Sequence, residues 1–112
     1  MTNAKRFNEG KLNFTLIPVD ATEAEAEVWQ MGEVKYGRDN WTKLWGEDTV
    51  HTVMASMLRH CVAIQKGESH DRESGLQHAA HIRCNAAMII RHFNTLSRLT
   101  DLTDVEQREF DD

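Results

Sequence analysis

The apolar positions of this chain recur at helical spacing in three stretches, and no stretch alternates convincingly as a strand would. Ala21, Ala24, Val28, Met31 and Val34 form the first stripe. Asp20 stands three residues before Glu23, in capping-box spacing, so a helix should start near Ala21, with Gly37 as its stop. A second helix is predicted from about Asp48, as N-cap, to Lys66, with Gly67 ending it. Val50, Val53, Met54, Met57, Cys61 and Ile64 should cover its buried face. His60 falls about 60° from the centre of that face, towards a cleft between helices, and Arg59 falls on the far side of the wheel. A third helix is predicted from about Ser74 to Leu99. It is apolar over most of its circumference, through Leu76, Ala79, Ala86, Ile90 and Phe93, and should therefore be central and buried.

Between and beyond these stretches the pattern changes. Residues 1–20 lack helical periodicity, hold the only proline, Pro18, and read as an extended arm that packs on the helices through the run Leu12 to Val19. The loop 37–41 leads to Trp41 and Trp45, which should be packed down. The acidic tail 100–112 should form one more short helix or fray. The expected fold is all-α: a single domain over 1–112, a small bundle of three to four main helices with an extended N-terminal arm.

The third stretch carries an irregularity. His78, His81, Asn85, Met88 and His92 fall within roughly 80° of one another on a helix, flanked by Ile82, Ile89 and Phe93 on one side and Ala80, Cys84 and Ala87 on the other. A polar stripe walled by apolar residues suits the lining of a site better than a solvent face. The loop before it is dense in acid, with Glu68, Asp71 and Glu73. Carboxylates and imidazoles are the usual hard and borderline ligands of divalent cations, so Glu68, Asp71, His78 and His81 are candidate metal ligands. His60 joins them from the preceding helix. A cation there could bridge phosphate oxygens and activate a water. The alternative is structural: the same groups would make buried hydrogen bonds, with Glu73 or Ser74 capping the helix. His70-Asp71 is also a His-Asp dipeptide, as in metal-dependent phosphohydrolases, but a two-residue match in a loop says little. Lys11, Lys35 and Arg38 are candidates for phosphate contact, and Trp41 for stacking on a base.

Composition narrows the classes. A net charge of −5 argues against a non-specific grip on a nucleic-acid polymer, which needs a basic surface. No apolar run approaches the ~20 residues of a membrane span, and no signal-peptide pattern opens the chain. Cys61 and Cys84 sit singly in apolar stretches without nucleophile context. They read as packing residues of a reduced, intracellular protein.

The ordered set Phe7-Asn8-x-Gly10-Lys11, Leu16-Ile17-Pro18 and Gly32-x-x-Lys35-Tyr36-Gly37-x-x-Asn40-Trp41 continues through Leu58-Arg59-His60, Gly67-Glu68-x-x-Asp71-x-Glu73-Ser74-Gly75-Leu76, His78-x-x-His81 and Asn85. Over roughly residues 6–95 it resembles the small phage proteins of the dATP/dGTP diphosphohydrolase N-terminal family. The resemblance implies an all-helical phosphohydrolase of purine deoxynucleoside triphosphates that uses a divalent metal, Mg²⁺ first and Mn²⁺ second. It also implies a phage-encoded protein active in the host cytoplasm. By analogy with MazG-like pyrophosphohydrolases, a homo-oligomer converting dNTP to dNMP and pyrophosphate is expected. Those enzymes use Glu-x-x-Glu on one helix and Glu-x-x-Asp on another. Here Glu68-x-x-Asp71 fits the second pattern and the first is absent, so histidines would take over work that carboxylates do there. Glu33-Val34 stands where a small residue and a basic one are expected after Gly32.

On this reading His60, Glu68 and Asp71 are catalytic, and Glu68, Asp71, His78 and His81 hold metal. Lys11 and Lys35 bind phosphates, and Asn40, Trp41 and Asn85 contact the substrate. The competing reading is a non-catalytic phage protein that sequesters a nucleotide or a nucleotide second messenger of host defence. A third is a structural helical oligomer with the histidine stripe at an interface.

Overall fold

The computed structural model describes residues 9–44, 46 and 48–111, the side chains of residue 44 and of residues 99–111 excepted. Among the described residues three α-helices carry the fold: α1 (Val19–Tyr36), α2 (Thr49–Gln65) and α3 (His78–Asp111). No strand forms among them; the one sheet-like pairing is an isolated bridge between His70 and Gln77. The chain is all-α. The long helix α3 packs against both α1 and α2, as a helix apolar on most sides should. Val28, Ala80 and Cys84 are the buried core, with Ala24, Trp29, Leu76 and Met88 packed round it.

Helix α1 starts two residues earlier than Asp20-x-x-Glu23 predicts. Pro18 is its N-cap, and the Pro18 carbonyl accepts from the N–H groups of Ala21 and Thr22 at 3.1 and 3.2 Å. A proline loses nothing there, because the N–H it lacks would have no helical partner. Asp20 lies inside the first turn, where its charge complements the helix dipole, and no capping box forms. The helix ends as expected at Gly37, whose φ of 91° turns the chain and whose N–H bonds the Glu33 carbonyl at 2.8 Å. Val34, counted in its apolar stripe, is 89% exposed.

The arm differs from expectation. In its described part, Phe14–Leu16 forms a 3-10 turn, and Leu12, Phe14, Leu16 and Val19 are exposed rather than packed on the helices. Lys5, Arg6, Phe7 and Asn8 lie outside the described residues, as does Trp45. The segment predicted as a loop before Trp45 is a second 3-10 turn, Asn40–Leu44. Trp41 is packed, its ring 5.8 Å from that of Trp29 at an angle of 58°.

Helix α2 has the predicted limits, from the N-cap Asp48 to the C-cap Lys66. Its contact face does not coincide with its apolar stripe. Val53, Ser56, Met57, His60 and Ala63 are half-buried, whereas Met54, Leu58, Cys61, Val62 and Ile64 are exposed. The face turned to α3 is centred near His60, about 60° from the apolar centre read from the sequence. Cys61 is consequently not a packing residue. Cys84 is: burial, with the Glu25 carboxylate nearby, pushes its thiol up to about 12.

Helix α3 begins at His78, not Ser74, and runs without a break through the tail predicted as a separate short helix or a frayed end. Its far face is open, with Ile90 60% and Phe93 55% exposed, so it is central at its N-terminal half only. One polar tie between α1 and α3 was invisible in the pattern. Glu25 accepts from Trp29 Nε1 at 2.9 Å and from Arg83 Nε at 3.1 Å. No described helix is long and apolar enough to cross a membrane.

Candidate functional site

The site is built where α2 ends and α3 begins. Gly67, with a φ of 91°, closes α2, and Glu68 N–H reaches back to the Ala63 carbonyl at 3.0 Å in a Schellman-type turn. The following residues close into a tight loop. Asp71 N–H bonds the Leu76 carbonyl at 2.8 Å, Gly75 N–H bonds the Asp71 carbonyl at 2.8 Å, and His78 N–H bonds the Ser69 carbonyl at 2.9 Å. Gly75, at a φ of 75°, occupies a conformation that other residues adopt at a cost. This explains why α3 cannot start at Ser74: Asp71 Oδ2 accepts from Ser74 N–H at 3.0 Å, and the Ser74 hydroxyl accepts from Leu76 N–H at 3.2 Å, holding a turn instead.

That turn aims Asp71 at three imidazoles. His60 Nδ1, from α2, lies 2.8 Å from His78 Nδ1, in the first turn of α3. The His60 ring stacks on His81, centroids 4.6 Å apart and planes 2° from parallel. His81 Nε2 is 2.7 Å from the Ser74 hydroxyl and 3.9 Å from Asp71 Oδ2. One ligand atom each of His60, Asp71 and His78 falls within 4.8 Å of the others. His78 is 5% exposed, and its Nε2 is buried with no hydrogen-bond partner; the nearest carboxylate oxygen, Glu68 Oε2, is 3.7 Å away. A buried polar atom without a partner is rare enough to call for an explanation.

Electrostatics favour neutral rings at His60 and His81 and an ionised carboxylate at Asp71. Burial, and then the neighbouring imidazoles His81 and His78, hold His60 below the usual histidine range; burial also lowers His81. Burial pushes the Asp71 carboxyl up, but the Ser74 hydrogen bonds and the nearby imidazoles outweigh it and hold Asp71 below its ordinary value. Neutral imidazole and ionised carboxylate are the forms that bind metal.

The cluster lines a cleft of about 880 Å³, within the size range of small-molecule sites. Lys35 and Tyr36 of α1, and Ser56 and Arg59 of α2, complete its walls. Lys35 pairs with Glu73 across the rim at 3.9 Å. Arg59, placed by the helical wheel on the far side of α2, reaches the cleft; a wheel fixes Cβ directions, not the reach of a guanidinium. Ser56 gave no signal in the sequence, being an isolated serine.

Of the remaining candidates, Glu68 stands behind His78 and not in the three-donor cluster, and it also meets Arg72 Nη2 at 3.5 Å. Asn85 donates to Ser56 Oγ at 3.3 Å, tying α3 to α2 behind the cleft. Lys11 and Asn40 do not line the cleft. Trp41 lines a separate cavity of about 520 Å³ with Trp29, Arg38 and Asp39, which shares Met31 and Tyr36 with the cleft. His70 is exposed and bonds the Ser69 hydroxyl at 2.7 Å, so the His-Asp dipeptide contributes only its Asp71.

Fold and site together define a small all-helical protein with a histidine–carboxylate cleft at a helix junction. The chain belongs to the dATP/dGTP diphosphohydrolase N-terminal family, whose profile matches residues 1–101. It is 41% identical over 81 residues to a dATP/dGTP diphosphohydrolase of Salmonella phage PMBT28, a match covering 72% of this chain and 26% of that protein. The chain thus spans about a quarter of the length of the curated relative it matches. No solved structure matches it.

Proposed function

We propose that the cleft binds a divalent cation beside the phosphates of a purine deoxynucleoside triphosphate, and that the protein hydrolyses that nucleotide to dNMP and pyrophosphate. The observation that carries the reading is the convergence of His60, Asp71 and His78 within 4.8 Å of one another on the wall of an open cleft. A bound cation would offset phosphate charge and lower the pKa of a coordinated water. Lys35 and Arg59 supply positive charge at the same cleft, and the exposed Lys35–Glu73 pair costs little to exchange for a phosphate. His81 is neutral near pH 7 and suited to accept a proton from water. Glu68, behind His78, would orient that ring on closing the 3.7 Å gap to its Nε2, rather than binding metal itself. The tryptophan-lined cavity that shares Met31 and Tyr36 with the cleft is where the base would stack, which gives Trp41 its role.

One observation favours a second reading, in which the protein binds the nucleotide without turning it over. The PMBT28 relative, whose name describes the hydrolysis, is matched over only 26% of its length, which leaves most of that protein's residues outside the match. A single incubation separates the two. Each dNTP is mixed with the protein and Mg²⁺ or Mn²⁺, and products are resolved by ion exchange, with Asp71→Asn alongside. Hydrolysis predicts dNMP and pyrophosphate from dATP and dGTP, lost in the variant. Unchanged nucleotide with either metal sinks that reading, and calorimetric binding without products supports the second.

A further inference from the structure

Resting on the reading of the cleft as a metal site, we infer that His60, His78 and Asp71 form a centre for a borderline transition ion, of the Mn²⁺, Co²⁺ or Zn²⁺ kind, and that it discriminates against Mg²⁺. The donor set decides this. Mg²⁺ takes oxygen ligands and keeps its waters, whereas imidazole nitrogen suits first-row transition ions. Two of the three donors here are imidazoles, and Asp71 alone supplies oxygen.

The imidazole geometry agrees. Two Nδ1 atoms face each other at 2.8 Å. Two ligands at right angles, each about 2.1 Å from one ion, stand about 3.0 Å apart. Without an ion, one ring must carry its proton on Nδ1 and the other must accept it, which sends the His78 Nε2 problem in one of two directions. If His78 Nδ1 turns its lone pair to a cation, its Nε2 carries the proton. That N–H then faces Glu68 Oε2, at 3.7 Å, and a small movement of the exposed end of Glu68 completes a carboxylate–histidine–metal relay. The orphaned buried nitrogen then has a carboxylate partner within reach of that movement. Three protein donors at an open cleft also leave coordination positions for water or phosphate, as catalytic rather than structural sites do.

The test uses the metal-free protein and the ions alone. Co²⁺ is titrated while its visible ligand-field absorption is followed, and Mn²⁺, Zn²⁺ and Mg²⁺ are then used as competitors. The inference predicts a one-to-one site at which Mn²⁺ and Zn²⁺ displace Co²⁺ and Mg²⁺ does so only at a concentration at least about 100-fold higher. His60→Ala and Asp71→Asn should each abolish the absorption band, and His92→Gln should keep it. His60 is only half-buried, so its variant remains informative should Asp71→Asn fail to fold. Displacement by Mg²⁺ as readily as by Mn²⁺, or a band unchanged in both variants, overturns the inference. Failure here and failure of the hydrolase reading are distinguishable. Co²⁺ binding with no turnover leaves the metal assignment standing, and turnover with Mg²⁺ in a protein that gives no Co²⁺ band removes it alone.

Discussion

Replacing Ser74 with alanine probes the turn that holds the site together. The Ser74 hydroxyl makes two close hydrogen bonds, 2.7 Å to His81 Nε2 and 3.2 Å from Leu76 N–H, and also favours the ionised Asp71 carboxylate. The third Ser74 bond, from its backbone N–H to Asp71 Oδ2 at 3.0 Å, survives the substitution. Each lost bond is worth about 1 kcal/mol net. The His81 side chain is only 12% exposed, so part of the cost of leaving its Nε2 unpaired adds to this. The sum is about 2 to 3 kcal/mol, or a fall in melting temperature on the order of 10 °C for a domain of this size. Urea unfolding of metal-free protein measures it. Ser74→Thr, which keeps the hydroxyl, should lose less than half as much. Because the hydroxyl also helps hold the Asp71 carboxylate ionised, Co²⁺ affinity of Ser74→Ala should fall by roughly tenfold or more. A loss below about 0.5 kcal/mol together with unchanged Co²⁺ affinity would refute the reasoning.

Four further outcomes are expected. Glu25→Ala removes the acceptor shared by Trp29 and Arg83 and should cost about 2 kcal/mol in urea unfolding, while Glu27→Ala, on the exposed side of α1, should cost less than about 0.5 kcal/mol. Gly75→Ala places a side chain at a φ of 75° and should destabilise by about 1 kcal/mol, although open space surrounds the added Cβ, so a neutral result would contradict the backbone argument. Metal-free protein should lose stability on acidification. His60 and His81 titrate below 6.5 when folded, so between that folded value and 6.5 the unfolded chain binds more protons. Stability therefore falls as pH drops through 6.5 and levels off below the folded pKa, whereas Asp71, held below 3.8, keeps its full contribution above about 3.8 and loses it between there and its lower folded value. Denaturation midpoints that are flat or rising from pH 7.5 to 5.5 would count against neutral rings in the fold. Finally, the homo-oligomer expected from the family resemblance would have apolar surface to cover at Leu58 and Val62, exposed on α2; sedimentation should then show Leu58→Glu shifting the protein towards monomer, and a wild-type monomer at every concentration would end that expectation.

Local pattern carried the helices and most of the cluster. Periodicity gave all three helices, Gly37 and Gly67 marked two ends, and the residues that meet in the cleft, His60, Asp71, His78 and His81, stood out as ionisable groups inside apolar sequence. What the pattern missed depended on contacts distant in the chain or on competition between local bonds. Glu25 sits in an acidic run with Glu23 and Glu27 and looks solvated, yet Arg83, 58 residues away, makes it a tie between helices. Asp71 and Ser74 bond each other and take the turn that a helix start would otherwise occupy. The face of α2 was read from its apolar residues, but the helix turns His60 inward and leaves Leu58 and Val62 outside, because the partner surface on α3 is itself the polar histidine stripe.

The most direct test of the metal cleft is a crystal grown with Mn²⁺ and dGTP, with anomalous scattering recorded at the manganese edge. The account predicts one peak bonded to His60, Asp71 and His78, with phosphate density reaching towards Lys35 and Arg59. Manganese bound elsewhere, with those three side chains bonded only to one another, would contradict it.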